Sequence, residues 1–164
     1  MGIIISSFIG CGKTHLFNSH GDKIKMMDAS NLNIENIVDE VISNVGDNDI
    51  VFIPIDKDVR EKFNQANIDY DVFYPSKERR REFIEKQVVK RSNPNDIRNL
   101  DKNFDKWVDE IDNDEHKNVY KHKLNESGQF IGNSQIIMTY IESINAAQKN
   151  VNNKIENSKT DEQV

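Results

Sequence analysis

The residues with the clearest chemical reading lie near the start of the sequence, in Ser7-Phe8-Ile9-Gly10-Cys11-Gly12-Lys13-Thr14. An apolar, β-branched run from Gly2 to Ser7 precedes them and a helical stretch through Leu16 and Phe17 follows, so the segment turns from strand into helix. Gly10 and Gly12 permit a backbone that curls around an anion with its N–H groups inward. The helix opening there aims the positive end of its dipole at the same point. Lys13 then reaches the β- and γ-phosphates of a nucleotide, and the Thr14 hydroxyl ligates Mg²⁺. The spacing is that of a GxxxxGK[ST] phosphate loop with Ser7 in place of the first glycine. Ser7, the amides of Gly10, Cys11 and Gly12, Lys13, Thr14 and the adjoining His15 are the candidate nucleotide contacts.

Such a loop needs strands and helices to hold it, and the rest of the chain supplies them. Strands are expected at Lys23 to Met27, Asp49 to Ile55, Tyr70 to Tyr74 and Val119 to Leu124, with Pro54 and Pro75 closing two of them. Between them, Asn33 to Ser43 carries Ile34, Ile37, Val38, Val41 and Ile42 on a 3.6-residue stripe. Helices are also expected at Lys57 to Asn67, Ser76 to Arg91 (with Ser76 as N-cap), Pro94 to about Asp112, and Asn133 or Ser134 to about Ala147. Strands alternating with helices imply an α/β fold with a mostly parallel sheet, right-handed crossovers and the first strand central. Residues 1–148 form one domain on this reading, and the Asn-, Lys- and Glu-rich 149–164 a polar, frayed tail.

Composition narrows the function classes. The chain has 164 residues, 30% of them charged, and a net charge of -6. That argues against bulk nucleic-acid binding while leaving room for a local basic site. No apolar run approaches the ~20 residues of a membrane span, and no basic segment precedes an apolar one as in a signal peptide. A single cysteine, Cys11, excludes a disulfide framework, and the cytoplasm is the expected compartment. Cys11 reads as a small filler in the loop, with a redox role as the other option. The four histidines show no metal-ligand spacing.

With this loop behind an apolar strand, the chain resembles the P-loop nucleoside triphosphatase superfamily, and within it the small nucleotide-kinase-like branch that includes short kinases encoded by bacteriophages. The resemblance spans roughly residues 2–145 and implies a three-layer α/β/α P-loop fold, ATP and Mg²⁺ as cofactors and, for a phage protein, the host cytoplasm. It also implies roles at weaker positions. Asp28, after the second strand, would contact the acceptor substrate or the Mg²⁺ shell, or else cap the next turn. All six arginines fall between Arg60 and Arg98, and the helix after Pro75 is similar to a lid. There Arg79, Arg81, Lys86, Lys90 and Arg91 would close over the transferring phosphoryl, or else, interleaved with Glu78, Glu82 and Glu85, form a solvated salt-bridged face. Asp56, after the third strand, stands where an acid that holds magnesium would, although Pro54 and Lys57 make the context atypical. Trp107, with Phe104 and Ile111 at helical spacing, reads as core or lid packing, with base stacking as the other option.

The expected activity is transfer of the ATP γ-phosphoryl to a small acceptor, foremost a nucleoside monophosphate. The competing expectation is a P-loop protein that binds or sequesters a nucleotide, or binds a partner protein, without turnover. No NKxD guanine-specificity motif is present, and the chain is too short for a helicase or AAA module.

Overall fold

The computed structural model describes residues 2–90 and 92–162. Its centre is the first strand, β1 (Ile3–Ser7), whose Ile4 and Ile5 are fully buried and which is flanked on both sides by parallel partners. The residues of the glycine-rich loop follow, then α1 (Lys13–His20) and β2 (Met26–Asp28). Next come α2 (Ile37–Asn44), β3 (Ile50–Ile53), α3 (Lys57–Gln65) and β4 (Tyr70–Pro75). A 3-10 turn at Lys77–Arg79 leads into α4 (Arg80–Val89), and α5 (Pro94–Asp112), β5 (Val119–Leu124) and α6 (Gln135–Glu162) complete the chain.

The five strands form one sheet of order β2-β3-β1-β4-β5, parallel throughout. The apolar runs at β1 and β3 are what strands covered on both faces require. The step from β1 to β2 runs toward one edge and the later steps run toward the other. Right-handed crossovers therefore place α1 on one face and α2, α3 and the α4–α5 pair on the other. The core joins both layers to the sheet, with Leu16 of α1, Val41 of α2, Phe63 of α3, Phe83 of α4 and Phe104 and Val108 of α5 all buried. Among the described residues no helix is long and apolar enough to cross a membrane.

Strand β3 ends at Ile53, two residues before the expected Ile55, and the helix expected from Ser76 opens as a 3-10 turn, with α4 starting at Arg80. Three other boundaries differ for a visible reason. Strand β2 begins at Met26, because the N–H groups of Lys23 and Ile24 both donate to the His20 carbonyl and extend the turn after α1. Helix α2 begins at Ile37, because the Asn33 side chain accepts from the Glu35 N–H at 3.0 Å and forms a local turn instead. Helix α6 runs on to Glu162 through the segment expected to fray, where no glycine or proline interrupts it. Residues 145–160 of that helix are exposed.

Candidate functional site

The glycine-rich loop leaves the carboxyl end of the central strand. The connection from β1 runs toward β2 and that from β4 toward β5, so a crevice opens at the carboxyl ends of these two neighbours, where ligands of open α/β sheets bind. The loop is pinned from below. The Phe8 N–H donates to the Phe73 carbonyl at 2.9 Å, and the buried Phe8 ring packs edge-on against Phe104 at 5.2 Å. Gly10 and Gly12 have φ of 87° and 98°, the left-handed region that favours glycine. Space is restricted as well: a Cβ on Gly10 would lie 3.0 Å from Gln87 Nε2 and from the Phe83 ring.

Among the described residues the N–H groups of Gly10, Gly12, Lys13 and Thr14 donate to no other part of the chain. The Cys11 N–H is turned the other way, onto the Phe8 carbonyl at 3.1 Å, so it belongs to the loop's own turn. The Cys11 side chain is likewise buried against the Phe73 carbonyl, and burial pushes its thiol up to about 12. A thiol held protonated there is a filler and not a nucleophile.

Lys13 donates to Asp28 Oδ2 at 2.8 Å, so α1 and the end of β2 are joined by an ion pair at the loop. The other Asp28 oxygen accepts from the Ser30 N–H at 3.0 Å and from the Ser30 hydroxyl. Burial alone would raise the Asp28 carboxyl, but the bonds from Lys13 and Ser30 outweigh it and hold the group below the usual carboxylate range. Thr14 and His15 are exposed on the first turn of α1. Asp56 is exposed at the N-cap of α3, with its side chain free of any cap bond.

A cleft of about 750 Å³ gathers many of these groups. The whole loop from Ser7 to Thr14 lines one side, with Ser30 and Asp56 beside it. Gln87 and Lys90 of α4 and Asn99, Trp107 and Glu110 of α5 line the other. A larger groove of about 980 Å³ lies elsewhere, against α6, and none of the residues expected to act lines it. Among the described residues no cluster of three or more His, Cys, Asp or Glu side chains could hold a metal ion by itself. A magnesium ion at Thr14 would therefore depend on phosphate oxygens and water for most of its ligands.

The cations expected of a lid are dispersed. Arg79 is 4% exposed and acts as an internal clamp: Nε donates to Glu82 at 2.6 Å, and Nη1 donates to the carbonyls of Gln129 and Leu124 at 2.6 and 3.2 Å. Its guanidinium also lies over the Phe83 and Phe130 rings. Arg81 points outward and pairs with Glu85 at 2.8 Å. Lys86 reaches the loop from behind, donating to the Gly10 carbonyl at 3.1 Å with its ammonium 3.8 Å from the Phe130 ring centre. Burial and the nearby Lys90 lower its pKa. Lys90 alone of these four lines the cleft. Arg91 lies outside the described residues.

Sequence reasoning passed over Gln87. It lies one turn after Phe83 on the stripe Arg79–Phe83–Gln87, all three buried, and that i, i+4 spacing from an aromatic anchor was the signal available. It also passed over Arg60, buried with Asp114 at 3.0 Å and bonded to the Ile55 carbonyl, which holds the start of α3 against α5's far end. Compared with known proteins, the chain matches no family model, no curated protein and no solved structure.

Proposed function

We propose that this protein is a P-loop phosphotransferase of three-layer α/β/α architecture that binds ATP with Mg²⁺ and transfers the γ-phosphoryl to a small acceptor, foremost a nucleoside monophosphate. The observation that carries the reading is the 7–14 loop. It leaves the central parallel strand at the point where the strand order reverses, with both glycines at positive φ and four N–H groups free of partners among the described residues. That is the arrangement an oligophosphate needs, since each free N–H can meet a phosphate oxygen and the α1 dipole adds to them. Lys13 would neutralise the β- and γ-phosphates and Thr14 would join the magnesium shell. Asp28 would orient the acceptor or a metal-bound water, and Lys90 would face the developing charge. Asp56 would stand near the metal from the β3 side.

One observation favours a second reading, nucleotide binding or sequestration without turnover. Arg79 and Lys86 are committed to internal contacts and Arg81 to the surface, which leaves the cleft poor in free cations from α4. Phosphoryl transfer from labelled ATP to a panel of nucleoside monophosphates, nucleosides and sugars separates the two. A Lys13-dependent product supports the kinase, whereas tight ATP binding without product on any acceptor supports sequestration.

A further inference from the structure

The side of the cleft that faces the loop has features a triphosphate tail does not explain. Gln87 is 9% exposed, and its side-chain oxygen accepts from the Ser92 hydroxyl at 3.0 Å. The Ser92 N–H in turn donates to the Gln87 carbonyl at 3.2 Å, which fixes the pair. This turns Nε2 toward Gly10 and the cleft, where it donates to nothing among the described residues. The amide therefore presents an accessible donor to the cleft, which a ligand or water completes. Lys90, the residue that caps the end of α4, adds a positive charge at the same end.

The other end of that wall is aromatic. Trp107 is half-buried on α5, lines the cleft and packs edge-on against Phe8 at 6.2 Å. Phe8 also meets Phe83, one turn before Gln87, at 6.4 Å, so the amide and the indole stand on one continuous floor. Asn99, about two turns before Trp107 on α5, also lines the cleft. Its Oδ1 already accepts from Asn103, which leaves its amide N–H groups as donors.

Resting on the phosphate-loop reading above, we propose that the α4–α5 wall is the acceptor subsite and takes a nucleoside monophosphate, with Gln87 and Lys90 on its phosphate and Trp107 against its base. A stacking surface accepts any base, because every base has a π face. With Asn99 as the other side-chain amide lining that wall, it discriminates weakly among the four common bases.

Trp107 is the single tryptophan, so its emission reports this wall. The probes are AMP, GMP, CMP, UMP, adenosine and ribose 5-phosphate, titrated into the wild-type protein, Gln87→Leu and the near-isosteric Gln87→Glu. The four monophosphates should quench saturably with Kd values within about tenfold of one another. Ribose 5-phosphate should compete with AMP yet leave the emission unchanged. Gln87→Glu should raise the AMP Kd about tenfold or more while moving that of adenosine by less than about twofold. If Gln87→Leu unfolds, the Glu variant carries the test.

Equal quenching by ribose 5-phosphate and AMP, or monophosphate binding indifferent to both Gln87 changes, overturns the proposal. ATP binding to the wild type and to Lys13→Ala is measured alongside by calorimetry. Lys13-dependent ATP binding with an unresponsive Trp107 removes the acceptor wall and keeps the phosphate loop. Quenching by monophosphates without ATP binding keeps the wall as a nucleotide site and removes the kinase reading.

Discussion

In the free protein the lysine expected to meet phosphate is already engaged, and this sets up a competition whose size can be worked out. Lys13 and Asp28 are 2.8 Å apart, with side chains 34% and 41% exposed, so water and salt screen the pair. Such pairs contribute about 0–1 kcal/mol. An incoming phosphate must displace the carboxylate or share the ammonium with it. Asp28→Asn keeps an oxygen for the Ser30 N–H and removes the competing charge. In Mg²⁺-free buffer, ATP should therefore bind Asp28→Asn as tightly as wild type or up to about fivefold tighter, the equivalent of the pair's 1 kcal/mol ceiling. Lys13→Ala instead loses a charge-assisted contact of about 1.5–3 kcal/mol, roughly a 10- to 150-fold weakening. Since Asp28 is held below the usual carboxylate range, the competition persists through mildly acidic pH and is relieved only as pH falls through that lowered pKa. With Mg²⁺ and acceptor present, Asp28→Asn should lower kcat by about tenfold or more if the carboxylate holds a water of the metal shell, a charge-assisted bond of about 1.5–3 kcal/mol. Calorimetry without metal and steady-state kinetics with it give the two readouts. A tenfold loss of metal-free ATP affinity in Asp28→Asn would refute the competition, and equal ATP binding by Lys13→Ala and wild type would remove Lys13 from the phosphate site.

Three further outcomes are expected. Gly12→Ala places a Cβ at φ 98° and 3.3 Å from the Phe130 Cβ; it should destabilise the fold by about 1–2 kcal/mol, measured by urea unfolding, and weaken ATP binding. Glu82 is held down to about 2, chiefly by the Arg79 hydrogen bond. A carboxyl lowered on folding contributes fully above its unfolded value and loses that contribution as pH falls toward the folded one. Allowing for its partial exposure, Glu82→Gln should cost about 1–2 kcal/mol at pH 7, and unfolding curves of the two proteins should converge near pH 2. Lys90→Ala should lower kcat more than ATP affinity and leave the thermal midpoint unchanged, whereas Lys86→Met, which loses the Gly10 carbonyl and the Phe130 ring, should lower ATP affinity and the midpoint together.

The parallel sheet with β1 at its centre was legible because its evidence is local: β-branched runs bounded by turn residues, each followed by a helical stretch long enough for a crossover. The loop was legible for the same reason, since Gly10, Gly12, Lys13 and Thr14 are neighbours in the chain. What the sequence obscured was rotation. The α4 segment reads as one basic face interleaved with acids, yet Phe83 fixes the helix so that Arg79 and Gln87 point inward, Arg81 points outward, and Lys86 comes round behind the loop. A buried phenylalanine outweighs several solvated charges in choosing which stripe is inside, because burying it contributes about 1.5–3 kcal/mol whereas exposed pairs such as Arg81–Glu85 contribute little. The Lys13–Asp28 pair was obscured for a different reason, since it joins the start of α1 to the end of β2, a strand separated from β1 by β3, and only the sheet order brings them together.

This rotation bears on what the basic helix is for. Arg79 binds the carbonyls of Leu124 and Gln129, and Glu82 accepts from the Gly128 N–H and the Ser127 hydroxyl, so the start of α4 is fastened to the segment after β5. Lys86 fastens the same helix to Gly10, and Phe130 lies under both cations. A helix tied at both places cannot swing open as a unit without breaking several charge-assisted bonds, each worth about 1.5–3 kcal/mol. Of the α4 cations expected to act by closing over the site, Arg79 and Lys86 are therefore engaged in the resting state, Arg79 on the segment after β5 and Lys86 on the glycine loop. Lys90, just past the end of α4 and exposed where it lines the cleft, makes no side-chain bond among the described residues and is free to follow a ligand. On this reading the energetic role of the basic helix is preorganisation of the loop, and removing Lys86 should be felt before any nucleotide is added.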